Sequence, residues 1–560
     1  MRRALAPCAA LLALALCASA RAGEGDEAYA GLIPLAGDSH QHAATLYMIE
    51  RSQKDPPVPG FPKYLHENSS PSDAYDALRT GGYDWVSLSH HDTNYPGKLA
   101  NVCIDAMSEK YRWWLAHEPL KGFPDATRPG TTVDPPSNEA LALSRVAAAK
   151  TVNGFLAFTG REFTNENFFP SGVGPREGGH KIVVLPGDTR GLCTVDGLLV
   201  GDEYCRDEAH LYLWALGERS RPVLIQAHPG LADQMDLRPF HPKNAPGGFT
   251  DQFVEGIEVG SEAQDPQWEQ AYQRALHLGY QLFPSYGSDD HYATWPGSVR
   301  SPRLGATVCW AAARTRQAVI DALLARRCYF SGSFVPELRF SVRPHAGGAW
   351  QPMGARVDLA DGLADVRIHV RNDPRNRADD PGLGKRLDSL DLVDDAGAVL
   401  ATCGAGASPP TGAKACACAR SADGADTCTL EVDSLRLHDG AFYPRLRMSN
   451  PAPAGCRSKD TPELLQYCNT AALGAPVFVN WDRFRARGPY RQCVLDPDHL
   501  PCGAPGCLPP AVDHDQDGWP DDCDVCPSVN DPTQPDANLD GYGDRCGRDP
   551  VLPPAALELK

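Results

Sequence analysis

Positive charge is scarce in this chain: 53 Lys and Arg stand against 71 Asp and Glu, a formal net charge of -18 at pH 7. A protein this acidic is not expected to bind nucleic acid or anionic membrane surfaces by general electrostatics. Long apolar runs are missing too. Beyond the first 22 residues no segment approaches the ~20 apolar residues that a spanning helix needs, so no membrane span is expected. Cysteine is thin over most of the chain: of 19 cysteines, five lie between residues 23 and 330 and twelve crowd into the last 230.

The first 22 residues read as a secretory signal peptide. Arg2 and Arg3 are followed by the apolar run Ala4 to Ala18 and the small-residue ending Ala20-Arg21-Ala22. Cleavage there moves the formal charge to -21 and predicts a secreted, periplasmic or cell-surface protein. In that setting the clustered C-terminal cysteines read as disulfide staples of small modules rather than as a zinc site. The odd total leaves a thiol over, expected among Cys103, Cys309 and Cys328. The 538 residues after cleavage suggest three or four domains at ~100 to 200 residues each.

From about Gly31 to Gly332 short apolar runs alternate with amphipathic stretches, the mark of a barrel or layered α/β domain. Helices are expected at Ser72 to Arg79, Asn138 to Lys150, Glu208 to Gly217, Gln267 to Leu278 and Thr315 to Arg326. Strands are expected at Tyr83 to Ser89, Phe155 to Thr159, Val223 to Ala227 and Tyr280 to Tyr286. From about Val335 the texture turns to alternating apolar and polar residues with frequent Gly, Asp and Pro. Leu338 to Val342, Ala364 to Val370, Ser389 to Val393 and Pro476 to Val479 read as strands of a β-sandwich. No cluster of His and acids is visible there. Beyond about Gly488 the chain is too poor in apolar residues to fold without staples or metal. The expected division is 1–22 signal peptide, 23–334 barrel, 335–487 β-rich domain and 488–560 Cys/Pro-rich module.

The chemistry sits where the expected strands end. Asp38-Ser39-His40-Gln41-His42 comes first; in an extended strand His40 and His42 point the same way and can share one ion or bridge two. The next strand runs into His90-His91-Asp92. The Phe155 strand ends in Gly160-Arg161-Glu162, Gly179-His180 opens another apolar run, and Val223 to Ala227 ends in His228-Pro229. Tyr280 to Tyr286 ends in Gly287-Ser288-Asp289-Asp290-His291. Any one of these alone would usually be a solvated or hydrogen-bonded side chain. Their recurrence at five strand ends points to a metal site, because the C-terminal ends of parallel barrel strands converge on one rim.

Taken in order, these motifs resemble the PHP superfamily, named for its polymerase-associated and histidinol phosphatase members. The likeness runs from about residue 31 to 332 and is closest to an exported branch that appends a β-rich domain. It implies a distorted (β/α)7 barrel holding two or three divalent transition metals, Zn, Mn or Fe. It places His40, His42, His91, Glu162, His180, His228, Asp289 and His291 on ligand positions, with Glu162 bridging. Where the family pattern reads Asp-His this chain has His90-His91, and Ala43 to Ile49 offers no ligand type. Such ions would acidify a bridging water and clamp entering and leaving oxygens, which fits phosphoester hydrolysis. Asp289, His291 and Glu162 would serve it, with Arg161, His90 or Lys181 neutralising the phosphate; Arg161 beside Glu162 can also be read as a surface ion pair. A second reading keeps the metals and makes the chain a deacetylase or amidohydrolase. A third makes it a non-catalytic, metal-stabilised binding protein. The substrate is expected to be a small-molecule or polymeric ester, with cell-surface or polysaccharide contact through the C-terminal domains.

The C-terminal segment carries a separate signal at about 513–546. Asp513, Asp515, Asp517 and Asp521, then Asp524 between Cys523 and Cys526, then Asp536, Asn538, Asp540 and Asp544 before Cys546 resemble two thrombospondin type 3 repeats. Oxygen ligands at every second position, with Gly permitting the sharp turn, suit Ca²⁺.

Overall fold

The computed structural model describes residues 27–42, 71–91, 146–152, 154–164, 180–185, 194–195, 198–199, 221–229, 254–260, 266–277, 279–289, 305–332, 337–372, 387–404, 407–420, 426–448 and 470–487. The expected signal peptide, Cys103, the helix at Glu208 to Gly217, His291 and the whole segment 488–560 with its calcium ligands lie outside these residues. No helix among the described residues is long and apolar enough to cross a membrane.

The first part of the chain supplies β1 (Ile33–Gln41), β2 (Trp85–His91), β3 (Leu156–Thr164), β4 (His180–Leu185), the short hairpin β5 (Thr194–Val195) and β6 (Leu198–Leu199), β7 (Val223–Gln226), β8 (Val254–Gly260) and β9 (Phe283–Tyr286). β1, β2 and β3 are parallel, β4 is inserted antiparallel between β3 and β7, and β7, β8 and β9 are parallel again. β7, β8 and β9 are buried along their whole length, which is why their sequences run without alternation.

This sheet curls back on itself. Beyond β9 the Asp289 N–H donates to the His40 carbonyl at 2.9 Å. β10 (Ala306–Ala311), antiparallel to β1, carries Thr307, whose hydroxyl accepts the Tyr286 N–H at 2.7 Å and donates to the Tyr286 carbonyl at 3.1 Å. Both ends of the strand series therefore meet near His40.

The helices pack by their apolar stripes. α1 (Pro71–Thr80) buries Ala74, Tyr75 and Leu78. α2 (Pro266–His277) buries Trp268, Ala271, Tyr272, Ala275 and Leu276, the spacing of one helix face. α3 (Arg316–Leu324) starts at Thr315, whose side chain accepts the Ala318 N–H at 3.2 Å as a helix cap. These three fall within two residues of the expected boundaries, and residues 146–150 are helical at the end of the helix expected over Asn138 to Lys150.

Sheet dominates the rest of the described chain. β11 (Cys328–Ser331) pairs with β10 and continues the first sheet into the β-rich region. There follow β12 (Glu337–Pro344), β13 (Gln351–Pro352), β14 (Arg356–Val357), β15 (Leu363–Asn372), β16 (Leu387–Asp394), β17 (Val399–Gly404), β18 (Ala413–Arg420), β19 (Asp426–Arg436), β20 (Gly440–Met448), β21 (Thr470–Gly474), β22 (Val477–Val479) and α4 (Trp481–Arg487). β13, β12, β15, β19 and β18 form a second, antiparallel sheet, while β21, β20, β22 and β14 extend the first, with β16 and β17 attached to β20. Leu338, Phe340, Ile368, Leu430, Leu390, Leu392 and Leu446 share one core between the two.

Among the described residues three disulfides join these strands. Cys309–Cys328 joins β10 to β11, Cys403–Cys416 joins the two sheets, and Cys418–Cys428 joins β18 to β19. The first pairing joins two of the three candidates for the odd thiol to each other, and the third, Cys103, lies outside the described residues. The fold also brings His438 to Asp394 (3.0 Å) and His277 to Asp395 (2.9 Å), contacts that the β-rich sequence did not advertise.

Candidate metal centre

Glu162, near the end of β3, is the residue on which the site is built. Its side chain is fully buried and its two oxygens serve different neighbours. Oε2 lies 3.4 Å from His40 Nε2 and 3.3 Å from His42 Nε2. Oε1 lies 3.1 Å from His228 Nε2 and is also held by His180 Nδ1. Asp289 Oδ1 closes the first group at 3.3 Å from His40 Nε2 and 3.0 Å from His42 Nε2. The ligand atoms of His40, His42, Glu162 and Asp289 all fall within 4.8 Å of one another, as do those of Glu162, His180 and His228. Two groups able to hold a metal ion thus share one carboxylate.

The donor set fits divalent cations. His40 Nε2 and His42 Nε2 face each other at 3.1 Å, both against carboxylate oxygens, which gathers lone pairs and negative charge around one point. The outer contacts set the imidazole in the same sense. His40 Nδ1 donates to Glu258 Oε1 at 2.8 Å, and Glu258 Oε2 accepts the His228 N–H at 2.7 Å. With its proton on Nδ1, His40 turns the Nε2 lone pair to the cluster, as metal-bound histidines backed by a carboxylate do.

The charge balance agrees. Burial pushes the His40 imidazole pKa down, but Glu258, Asp289 and Glu162 together outweigh it and hold it well above the usual histidine range. His42 and His228 behave alike: burial opposes, while Asp289 and Glu162 raise the first, and Glu162 and Glu258 the second. The pocket is one that wants positive charge. A dication competes with these protons, so loading releases protons and weakens in acid.

Local sequence explains the convergence. Extended β1 sets His40 and His42 on one side. Gly287 is glycine because a Cβ there would overlap the Glu258 carboxylate. Asp289 and His228 adopt positive φ, 50° and 25°, conformations that need support from their surroundings. Part of that support is a polar knot joining β1 to the end of β9. Asp38 accepts the His40 N–H at 2.9 Å and the Gln41 amide at 2.7 Å, and the Ser288 hydroxyl donates to the His40 carbonyl at 3.1 Å. Burial pushes the Asp38 carboxyl up to about 7.

Of the residues expected from sequence, the structure brings His40, His42, Glu162, His180, His228 and Asp289 together. His90 and His91 end β2, in register with Arg161 and Glu162 respectively. Arg161 is buried, so it is no surface ion pair, and the pleat sets it and buried Lys181 on the opposite face of the sheet from Glu162 and His180.

Glu258 was not anticipated, nor was the strand that carries it. Val254–Gly260 reads Val-Glu-Gly-Ile-Glu-Val-Gly and is buried throughout. Two acids inside so apolar a run, just before the α2 stretch, were the available signal. Glu258→Gln is expected to weaken metal binding about 10- to 100-fold. An amide must turn its NH₂ toward either His40 Nδ1 or the His228 N–H, each of which is a donor. Chelator competition with the folded variant checks this; unchanged affinity would mean that Glu258 does not orient the ligands.

No protein-family model and no curated protein matches the chain. Among solved structures it is similar to a two-domain protein from Bacteroides vulgatus described as containing a predicted PHP-like metal-dependent phosphoesterase. That match has 13% identity and a TM-score of 0.33, covering 74% of this chain and 91% of the other.

Proposed function

We propose that this protein is an exported, metal-dependent hydrolase of phosphate esters. Its centre is the pair of groups joined through Glu162, set among the curled strands β1, β2, β3, β4, β7, β8 and β9, which we read as the wall of a distorted (β/α)7 barrel. The observation that carries the proposal is the division of labour on one buried carboxylate, Oε2 toward His40, His42 and Asp289, Oε1 toward His180 and His228. In this reading residues 23–334 form the metal-binding unit, 335–487 a β-rich domain and 488–560 a calcium-binding module. Zn, Mn or Fe fills the centre, and His91 and His291 join the ligand set.

Bound divalent cations would acidify a shared water and neutralise charge on a phosphoryl group. The protein's own part is distinct. Glu162 holds the two groups at a fixed spacing, and Glu258 keeps the His40 proton on Nδ1. Among the described ligands Asp289 has the most open side chain, 31% exposed against 14% or less for the others. It therefore lies on the side from which water and substrate arrive, with Oδ1 itself buried against His40 and His42, and we read its carboxylate as the group that takes a proton from an attacking water.

The test is a panel of nitrophenyl phosphate mono- and diesters, acetylated sugars and lactones, run on protein loaded with Zn²⁺ or Mn²⁺ and after chelation. The expected result is phosphate-ester hydrolysis that chelation removes and either metal restores. Turnover confined to acetyl or lactone substrates would reassign the bond, and a metal-loaded protein inert on the whole panel would leave a binding protein.

A further inference from the structure

We infer that the β-rich region is a working part of the metal centre, with Arg445 and Glu269 as positioning residues that act through α2. This rests on the metal-centre reading above and adds to it a coupling between the two halves of the chain.

α2 lies between β8, which carries Glu258, and β9, which leads to Asp289. Its first turn places the Trp268 ring 6.4 Å from the His228 ring. His228 holds φ at 25°, so its place depends on what surrounds it: Glu258 accepts its N–H, and Trp268 packs beside its ring.

The opposite commitment of α2 is to the β-rich region. Glu269, Gln273 and His277 recur at intervals of four along one stripe. Buried Glu269 accepts the Thr470 hydroxyl at 2.8 Å and lies 3.6 Å from Arg445 Nη1. Arg445, itself buried, also reaches Asp391 at 3.3 Å, and Arg447 meets the same Asp391 oxygen at 2.9 Å. The Gln273 amide donates to the Tyr443 hydroxyl at 3.2 Å, and His277 Nδ1 lies 2.9 Å from Asp395.

Packing alone does not call for this arrangement, because Ala271, Tyr272, Ala275 and Leu276 already seat the helix in an apolar cluster. Apolar contacts tolerate sliding; a buried guanidinium held between two carboxylates does not, since a shift of either partner leaves a charge uncompensated. The network therefore sets where α2 sits along its axis. That position sets Trp268 against His228.

The experiment uses the full chain with Zn²⁺ as probe and chelator competition as readout. Arg445→Met is compared with the charge-conserving Arg445→Lys and with Val342→Ala, a core truncation in the second sheet. Arg445→Met is expected to weaken Zn²⁺ retention about tenfold and to lower kcat with KM little changed. Arg445→Lys should recover part of both. Val342→Ala should lower Tm while leaving Zn²⁺ affinity as it was. If Arg445→Met fails to fold, Gln273→Leu combined with His277→Ala should weaken Zn²⁺ retention in the same direction. Unchanged affinity in a folded stripe variant, or an equal loss in Val342→Ala, would overturn the coupling. Wild-type protein that binds no Zn²⁺ would instead remove the metal-centre reading itself and the coupling with it.

Discussion

Glu162→Gln is expected to strip metal from both groups at once and to reduce phosphate-ester turnover by about 10³-fold, the scale of losing an essential electrostatic group. Among the described residues every other ligand serves one group; Glu162 serves both, through different oxygens. Gln conserves volume, so the fully buried position is not opened into a cavity. What changes is charge and donor sense: an amide NH₂ must now face either the His40 and His42 side or the His180 and His228 side. The variant should keep its circular dichroism and lose its metal by elemental analysis, from roughly two equivalents in the wild type to near none. Full retention of one equivalent would show that the second group holds metal without Glu162. Full retention of both would remove the bridge.

How much of this centre was legible beforehand follows from where each ligand sits. His40, His42, Glu162, His228 and Asp289 lie at or just past strand ends, and an apolar run that stops at His or an acid is visible in one sequence. His180 could be seen for the mirrored reason, at the start of β4. What could not be read was the direction of β4, which runs antiparallel between β3 and β7 and so delivers its first residue, not its last, to the cluster. Glu258 was hidden because β8 lacks alternation. Two acids in an unalternating run carry no sign of which one stands behind His40.

The β-rich region was partly readable for a similar reason. β12, β15 and β16 alternate clearly, whereas β18 reads Ala-Lys-Ala-Cys-Ala-Cys-Ala-Arg and carries little hydrophobic contrast. Its disulfides to Cys403 and Cys428 supply the cohesion that its alanines cannot. The continuation of the first sheet through β11 into β21 has no local signature at all, since it joins residues 328–331 to 470–474.

Asp289→Asn is expected to abolish most phosphate-ester hydrolysis, by about 10² to 10⁴-fold, while the fold survives. Asp289 sits at φ 50°, a left-handed conformation that Asn adopts at least as readily as Asp, so the backbone of the turn is not strained by the change. Its N–H bond to the His40 carbonyl is a main-chain contact and persists. The lost feature is the negative Oδ1 against His40 and His42, at the most open of the described ligands. Because that carboxylate is among the groups that raise both imidazoles, its removal also lowers their affinity for a cation, so weaker metal retention should accompany the lost rate. Raising Zn²⁺ or Mn²⁺ separates the two effects. If saturating metal restores the rate, Asp289 acts only as a ligand; if metal returns and the rate does not, it also handles the proton. Asp290→Asn, at the variable position of Gly-Ser-Asp-x-His, is the internal control and should keep most activity. Equal loss in both variants would place the motif out of register, and an Asp289→Asn enzyme with wild-type kcat would take this residue out of the chemistry.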